Sequence, residues 1–264
     1  MRKLKFYFYR LMIVSCMLLC AYQKTLKVQA YHPDMVNKRL IQTTTPMEEY
    51  EGLLFLGLLE TDLLTEENVD ETVKNVSDSI VKIYVNGYAG SGVIFDVTKD
   101  YLMIVSNKHL LMYDVVGEIA VDDSSLLQGN VIGVSDQYDV GFISVSSNQL
   151  TTKEQDSIKK VNREQQKYDE LNIGSTIIQI GSTDGVASNV YSGTVVNTWE
   201  FIGELNSFML HNRCYAKPGM SGGGVFDGYG NFMGIITAGK KDQTVCLPLS
   251  IITSEYENII KKVQ

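Results

Sequence analysis

The chain has 264 residues, 44% of them hydrophobic and 20% charged, with 22 Gly and only 4 Pro. That balance excludes a disordered, collagen-like or multi-span membrane protein and leaves enough apolar material for a sizeable core. The net charge is -8, and because residues 1–30 hold six of the 23 Lys and Arg and no acid, the remainder carries 17 positive against 31 negative charges, a poor match for nucleic acid or anionic lipid.

Arg2, Lys3, Lys5 and Arg10 precede an uncharged run from Leu11 to Tyr22. Its twelve residues suit the apolar region of a signal peptide and fall short of the roughly 20 that a spanning helix needs. Val28-Gln29-Ala30 fits cleavage before Tyr31, so residues 1–30 read as a signal peptide. The expected product is secreted or at the cell surface by bacterial export, touching the membrane only in transit. A lipoprotein site at Cys20 is disfavoured by the bulky Leu19 before it. The mature chain keeps only Cys214 and Cys246, and His32, His109 and His211 lie far apart, so neither a disulfide scaffold nor a metal site is indicated. No cofactor is expected either.

Residues 31–70 read as a leader or pro-segment with a helical stretch, the apolar run Met47–Leu64 laid against the main domain. From Thr65 a capping-like Thr65-Glu66-Glu67 start and valines at 69, 73 and 76 predict a short helix. From Ser79 the pattern changes to a dozen runs of four to nine residues rich in Val, Ile, Phe and Tyr, punctuated by Gly, Asn and Asp. Their number and spacing predict an all-β sandwich or pair of barrels. Residues 149–170, rich in charges of both signs, read as a solvated helical link between two halves, and Ser254 opens a closing helix.

The segment Pro218-Gly219-Met220-Ser221-Gly222-Gly223-Gly224 lies between strands. Glycines beside a serine let backbone N–H groups converge on one point, as an oxyanion hole requires. No Lys-Ser/Thr pair or helix comes after it, which argues against a phosphate loop. Gly90-Ser91-Gly92 reads as a bend before a strand. A base is available in His109, at the end of the apolar run Ile104–Val105, and a carboxylate in Asp139, ahead of Val140–Ile143; Asp136, Asp122 and Asp123 are rivals for that place. His211 reads as a half-buried structural residue and Trp199 as barrel packing.

In order and spacing, His109, Asp139 and Ser221 resemble the triad of chymotrypsin-like serine peptidases, above all the bacterial HtrA-type and glutamyl endopeptidases. Ser106-Asn107-Lys108-His109, Asp139–Val145, Leu171–Ser182 and Pro218–Ile235 are similar to four boxes of that family. The resemblance spans residues 79 to about 252 of a peptidase domain at 71–264 and lacks a PDZ module. It implies two six-stranded antiparallel β-barrels, at about 79–148 and 171–252, with short N-terminal helices and a C-terminal helix. By position it implies Ser221 as nucleophile, His109 as base, Asp139 as its orienting partner, and the N–H groups of Gly219 and Ser221 as oxyanion hole.

Carried over in the same way, the substrate pocket falls to Cys214, Tyr215, Ile236, Thr237 and Ala238, with Cys214 and Cys246 on two of its walls, either as a disulfide or as two buried free thiols. Met220 replaces an Asp that would pair with a freed N-terminus. Without an acid in the pocket, and with Ile236 where glutamyl enzymes carry a His, an apolar or small residue before the cut is expected. The expected partner is a protein or peptide substrate of a monomeric serine endopeptidase. An inactive protease-fold binding protein and a selective processing protease are the alternatives.

Overall fold

The computed structural model describes Leu64 and residues 67–263. The signal segment 1–30, the leader up to residue 63 and the start signal at Thr65-Glu66 lie outside those residues. Helix α1 (Val69–Val76) takes its N-cap from Asn68, whose side chain accepts from the Glu71 N–H at 3.1 Å, three residues after the expected Thr65. Asn outranks most residues as a cap because its short side-chain oxygen reaches the free N–H groups of the first turn.

Strands β1 (Ile80–Val85), β2 (Tyr88–Val97), β3 (Tyr101–Ser106), β4 (Val116–Ala120), β5 (Leu127–Val134) and β6 (Gly141–Ser146) close one antiparallel barrel in the order β1-β2-β3-β6-β5-β4. A second barrel, β10-β11-β12-β9-β8-β7, is built from β7 (Thr176–Gly181), β8 (Asn189–Ile202), β9 (Ser207–Arg213), β10 (Gly224–Asp227), β11 (Phe232–Lys240) and β12 (Gln243–Pro248). The fold is thus all-β and chymotrypsin-like. Between the barrels lie the short helices α3 (Thr152–Ser157) and α4 (Gln165–Asp169), and α2 (Lys108–Leu111) comes after β3. The closing helix α5 (Leu249–Val263) begins straight after Pro248, five residues before the expected Ser254.

The two-residue alternation of strands sorts the first barrel's side chains. Val81, Ile83, Ile94, Leu102 and Ile104 fill its interior. Their neighbours Ile80, Val93, Phe95, Met103 and Val105 face the other way and join the larger apolar cluster that holds the second barrel. One set of strands therefore serves two cores, which is why these runs carry hydrophobic residues at nearly every position. Helix α5 returns across this seam: Tyr256 packs edge-on to Phe95 at 5.2 Å and donates its hydroxyl to Asp96 at 3.0 Å, while the Arg163 guanidinium lies 4.3 Å over the Phe95 ring.

Two expectations are corrected here. Gly90-Ser91-Gly92 is the middle of β2, not a bend before it. Trp199 is not barrel packing: β8 runs on past its pairing with β7, and out there Trp199 is 46% exposed and stacked on Phe208 at 5.3 Å. Among the described residues no helix is long and apolar enough to cross a membrane.

Candidate active site

Strand β3 ends at Ser106, and the chain turns through the fully buried Asn107 into α2, which carries His109. Asp139 stands two residues ahead of β6, the strand hydrogen-bonded to β3, so the sheet itself brings the two together. The carboxylate holds the histidine twice. Asp139 Oδ1 accepts the His109 backbone N–H at 2.9 Å, and Oδ2 lies 2.7 Å from His109 Nδ1. A ring held through Nδ1 turns Nε2 outward, and the His109 side chain is 49% exposed against 26% for Asp139. Asn107 Nδ2 donates to the Asp139 carbonyl at 3.0 Å and to Thr237 Oγ1, on β11, at 3.4 Å, tying this corner to the second barrel.

The rival carboxylates sit elsewhere. The Asp136 side chain is exposed and approaches Lys262 at 3.5 Å; Asp123 Oδ1 accepts the Val186 N–H, and Asp122 caps Ser124. His211 is indeed half-buried, with its Nδ1 2.7 Å from Glu200 Oε2.

Ser221 lies on the loop between β9 and β10. Met220, fully buried, pins the loop from below, and a Cβ on Gly181 would sit 2.9 Å from its Cα. From above, Gly222 N–H donates to the Ile236 carbonyl at 2.8 Å and Gly223 N–H to that of Met220 at 2.9 Å. Across the seam, Ser91 N–H donates to the Ser221 carbonyl at 2.9 Å, and Ser91 Oγ donates to the Gly219 carbonyl at 2.9 Å while accepting the Ser182 N–H at 2.8 Å. Gly222 has a φ of +83°, and a Cβ there would run into the Ser91 carbonyl and the Ser106 hydroxyl, so only glycine lets the loop lie this close to β2 and β3. Sequence reasoning missed Ser91, because its importance lies in contacts with residues some 130 positions away.

A Cβ on Gly90 would sit 2.7 Å from Leu110 Cδ2 and 3.3 Å from the Ser221 carbonyl, so one glycine of β2 flanks both the residue after His109 and the serine loop. Among the described residues no direct hydrogen bond joins Ser221 to His109, and none consumes the N–H of Gly219 or of Ser221. Gly219, with φ +93°, takes a conformation that glycine favours.

Of the expected pocket residues, Tyr215 and Ala238 are exposed, while Ile236, Thr237 and Cys214 are buried. Cys214 and Cys246 are two free thiols, not a disulfide. Burial pushes Cys214 up to about 11 and Cys246 up to about 12. Among the described residues no group of three His, Cys, Asp or Glu is arranged to hold a metal ion. A cavity of about 620 Å³ lined by Leu64, Glu67, Lys167, Leu171 and Tyr229 lies where the N-terminal segment meets the β10–β11 turn, apart from Ser221.

No curated protein is similar enough in sequence to count as a match. A family model described as trypsin-like peptidase domain matches residues 90–235, a stretch that begins in β2, ends in β11 and includes His109, Asp139 and Ser221. With a matching model over more than half its length and two closed six-stranded barrels behind it, the chain belongs to the trypsin-like peptidase domain family and has a serine protease fold.

Proposed function

We propose that this chain is an exported serine endopeptidase that cuts peptide bonds through an acyl-enzyme. The observation that carries the reading is Asp139 gripping both the backbone and the ring of His109, with the Ser221 loop bonded to the same barrel and two loop N–H groups left unspent. Export rests on the charged and apolar pattern of residues 1–30.

In this reading Ser221 Oγ attacks the carbonyl carbon of the substrate and its proton passes to His109 Nε2. The Asp139 carboxylate keeps the proton on Nδ1, so that Nε2 is the basic nitrogen, and it stabilises the imidazolium that forms. The N–H groups of Gly219 and Ser221 receive the oxyanion, a contribution of about 3 kcal/mol per donor in other oxyanion holes. His109 then returns the proton to the leaving amine. Water, giving a proton to His109, attacks the ester carbonyl; the bond to Ser221 Oγ then breaks, His109 returns that proton to Oγ, and the acid product leaves. No direct hydrogen bond joins Ser221 to His109 among the described residues, and catalytic hydrogen bonds are commonly loose until a substrate is bound.

The test is intact mass after treating the purified protein with a fluorophosphonate, beside Ser221→Ala. One adduct per chain, mapped to Ser221 and lost in the variant, is expected. A folded protein that takes no adduct overturns the reading in favour of a protease-fold binding protein.

A further inference from the structure

Asn107 stands at the N-terminal cap of α2 with an extended backbone, φ -72° and ψ 143°, the conformation from which an asparagine side chain ordinarily accepts an N–H of the first helical turn. It does not do so here. Among the described residues its side chain makes no capping bond, and an N–H within its usual reach, that of His109, goes to Asp139 Oδ1 at 2.9 Å instead. The amide of Asn107 holds Asp139 in turn, its Nδ2 donating to the Asp139 carbonyl at 3.0 Å. The start of the helix and the aspartate are therefore interlocked by two bonds that run in opposite directions.

That arrangement is not what stability alone selects. Asn107 is fully buried, and because a carbonyl only accepts, the amino side of its amide must face Asp139, which leaves Oδ1 buried without a partner among the described residues. Natural sequences break such local rules chiefly at functional sites. Here the broken rule opens a path across the seam. Asn107 Nδ2 also donates to Thr237 Oγ1 on β11 at 3.4 Å. Thr237 comes directly after Ile236, whose carbonyl accepts the N–H of Gly222, the neighbour of Ser221, at 2.8 Å. A short route thus leads from His109 along the chain to Asn107, over to Thr237 and Ile236, and back to the serine loop.

We propose that Asn107 is a positioning residue: by bridging Asp139 on the first barrel and Thr237 on the second, it sets the separation between His109 and Ser221. The proposal rests on the serine endopeptidase reading and adds to it a residue that acts only through others. Without the bridge, the Asp139 carboxylate still grips His109 and the serine loop still hangs on Ile236, but the two corners are free to drift. A misplacement of about 1 Å between reacting groups is enough to slow a reaction about 100-fold.

The test follows the rate at which diisopropyl fluorophosphate labels Ser221 in the full chain, as a function of pH, for Asn107→Leu, Thr237→Val and the double variant, each well below its melting temperature. Leucine keeps the volume and removes the donor, and valine does the same to the hydroxyl. Each single substitution is expected to slow labelling at least about tenfold. The pH of half-maximal labelling should stay where it is, because the grip of Asp139 on the ring is intact. The double variant should be no slower than the slower single one, since both break the same link. If Asn107→Leu does not fold, Thr237→Val alone decides, by the same slowing at an unmoved pH.

Variants that melt earlier yet label at the wild-type rate overturn the proposal, for Asn107 is then structural only. So does a slowed rate whose pH dependence has moved, which places the effect on the carboxylate, and so do losses that multiply in the double variant. A folded wild-type protein that takes no label overturns the endopeptidase reading, and this proposal with it.

Discussion

Cys214 and Cys246 show what burial does to a single group. Among the described residues neither has a charged partner that would stabilise a thiolate, and desolvation is the first cause of both shifts, to about 11 and about 12. At pH 8 both are therefore thiols, and iodoacetamide with peptide mapping should find them unmodified in the native protein and alkylated in urea. Their folded values lie above the ordinary 9.0, so the folded chain binds more protons than the unfolded one between those values. That stabilisation is complete below about pH 9 and falls as pH rises, by up to about 1.4 kcal/mol per unit for each thiol until about pH 11. The urea midpoint should accordingly drop between pH 8 and 10.5, and drop less in Cys246→Ala; a midpoint equally pH-sensitive in both proteins contradicts this. At this scale the sequence is informative where spacing carries meaning. Asp139 is preferred to Asp136 because an apolar strand comes directly after it, and it is Asp139 that holds His109. The state of the two cysteines is not legible, since it depends on how β9 and β12 lie against each other.

Strand β2 is longer than its sequence suggests. Its glycines point to a bend, yet they are small because the serine loop and neighbouring side chains press against that strand. Ser91 is the joint: one side chain links the Gly219 carbonyl to the Ser182 N–H, and its backbone holds the Ser221 carbonyl. Ser91→Ala orphans the buried Ser182 N–H and frees the Gly219 peptide, which should cost about 1–3 kcal/mol of stability and slow fluorophosphonate labelling of Ser221 at least about tenfold. Labelling at the wild-type rate contradicts that role. The dozen strands are legible because runs of Val and Ile between Gly, Asn and Asp can hardly be anything else. The outer half of β8 is not, since Thr198, Glu200 and Ile202 alternate with exposed aromatics, and Glu200 and Ile202 pair only with β9, past a register shift. The start of α5 is hidden too, because Leu249–Ile252 reads equally well as the end of a strand.

At the scale of the whole molecule, charge and topology act together. With 17 positive against 31 negative charges after residue 30, the protein should pass a heparin column unretained at physiological salt, and retention there contradicts the expectation that it binds no polyanion. The fold class is legible from strand count, but the sharing of β2 and β3 between two cores is not, for a sequence shows that a residue is apolar and not which side it faces. The seam between the barrels also sets an order of events. The Ser221 carbonyl accepts a hydrogen bond from β2, the next residue, Gly222, donates one to β11 and is closed in by Ser91 and Ser106, so the loop has its shape only where both barrels already stand. If the proposed reading holds, a nascent chain that has made only the first half carries His109 and Asp139 with no serine to activate, and a chain whose halves have parted carries a serine with no base. On that reading the half-built molecule would be chemically silent, and a cell making it would be spared a protease that works before it is finished.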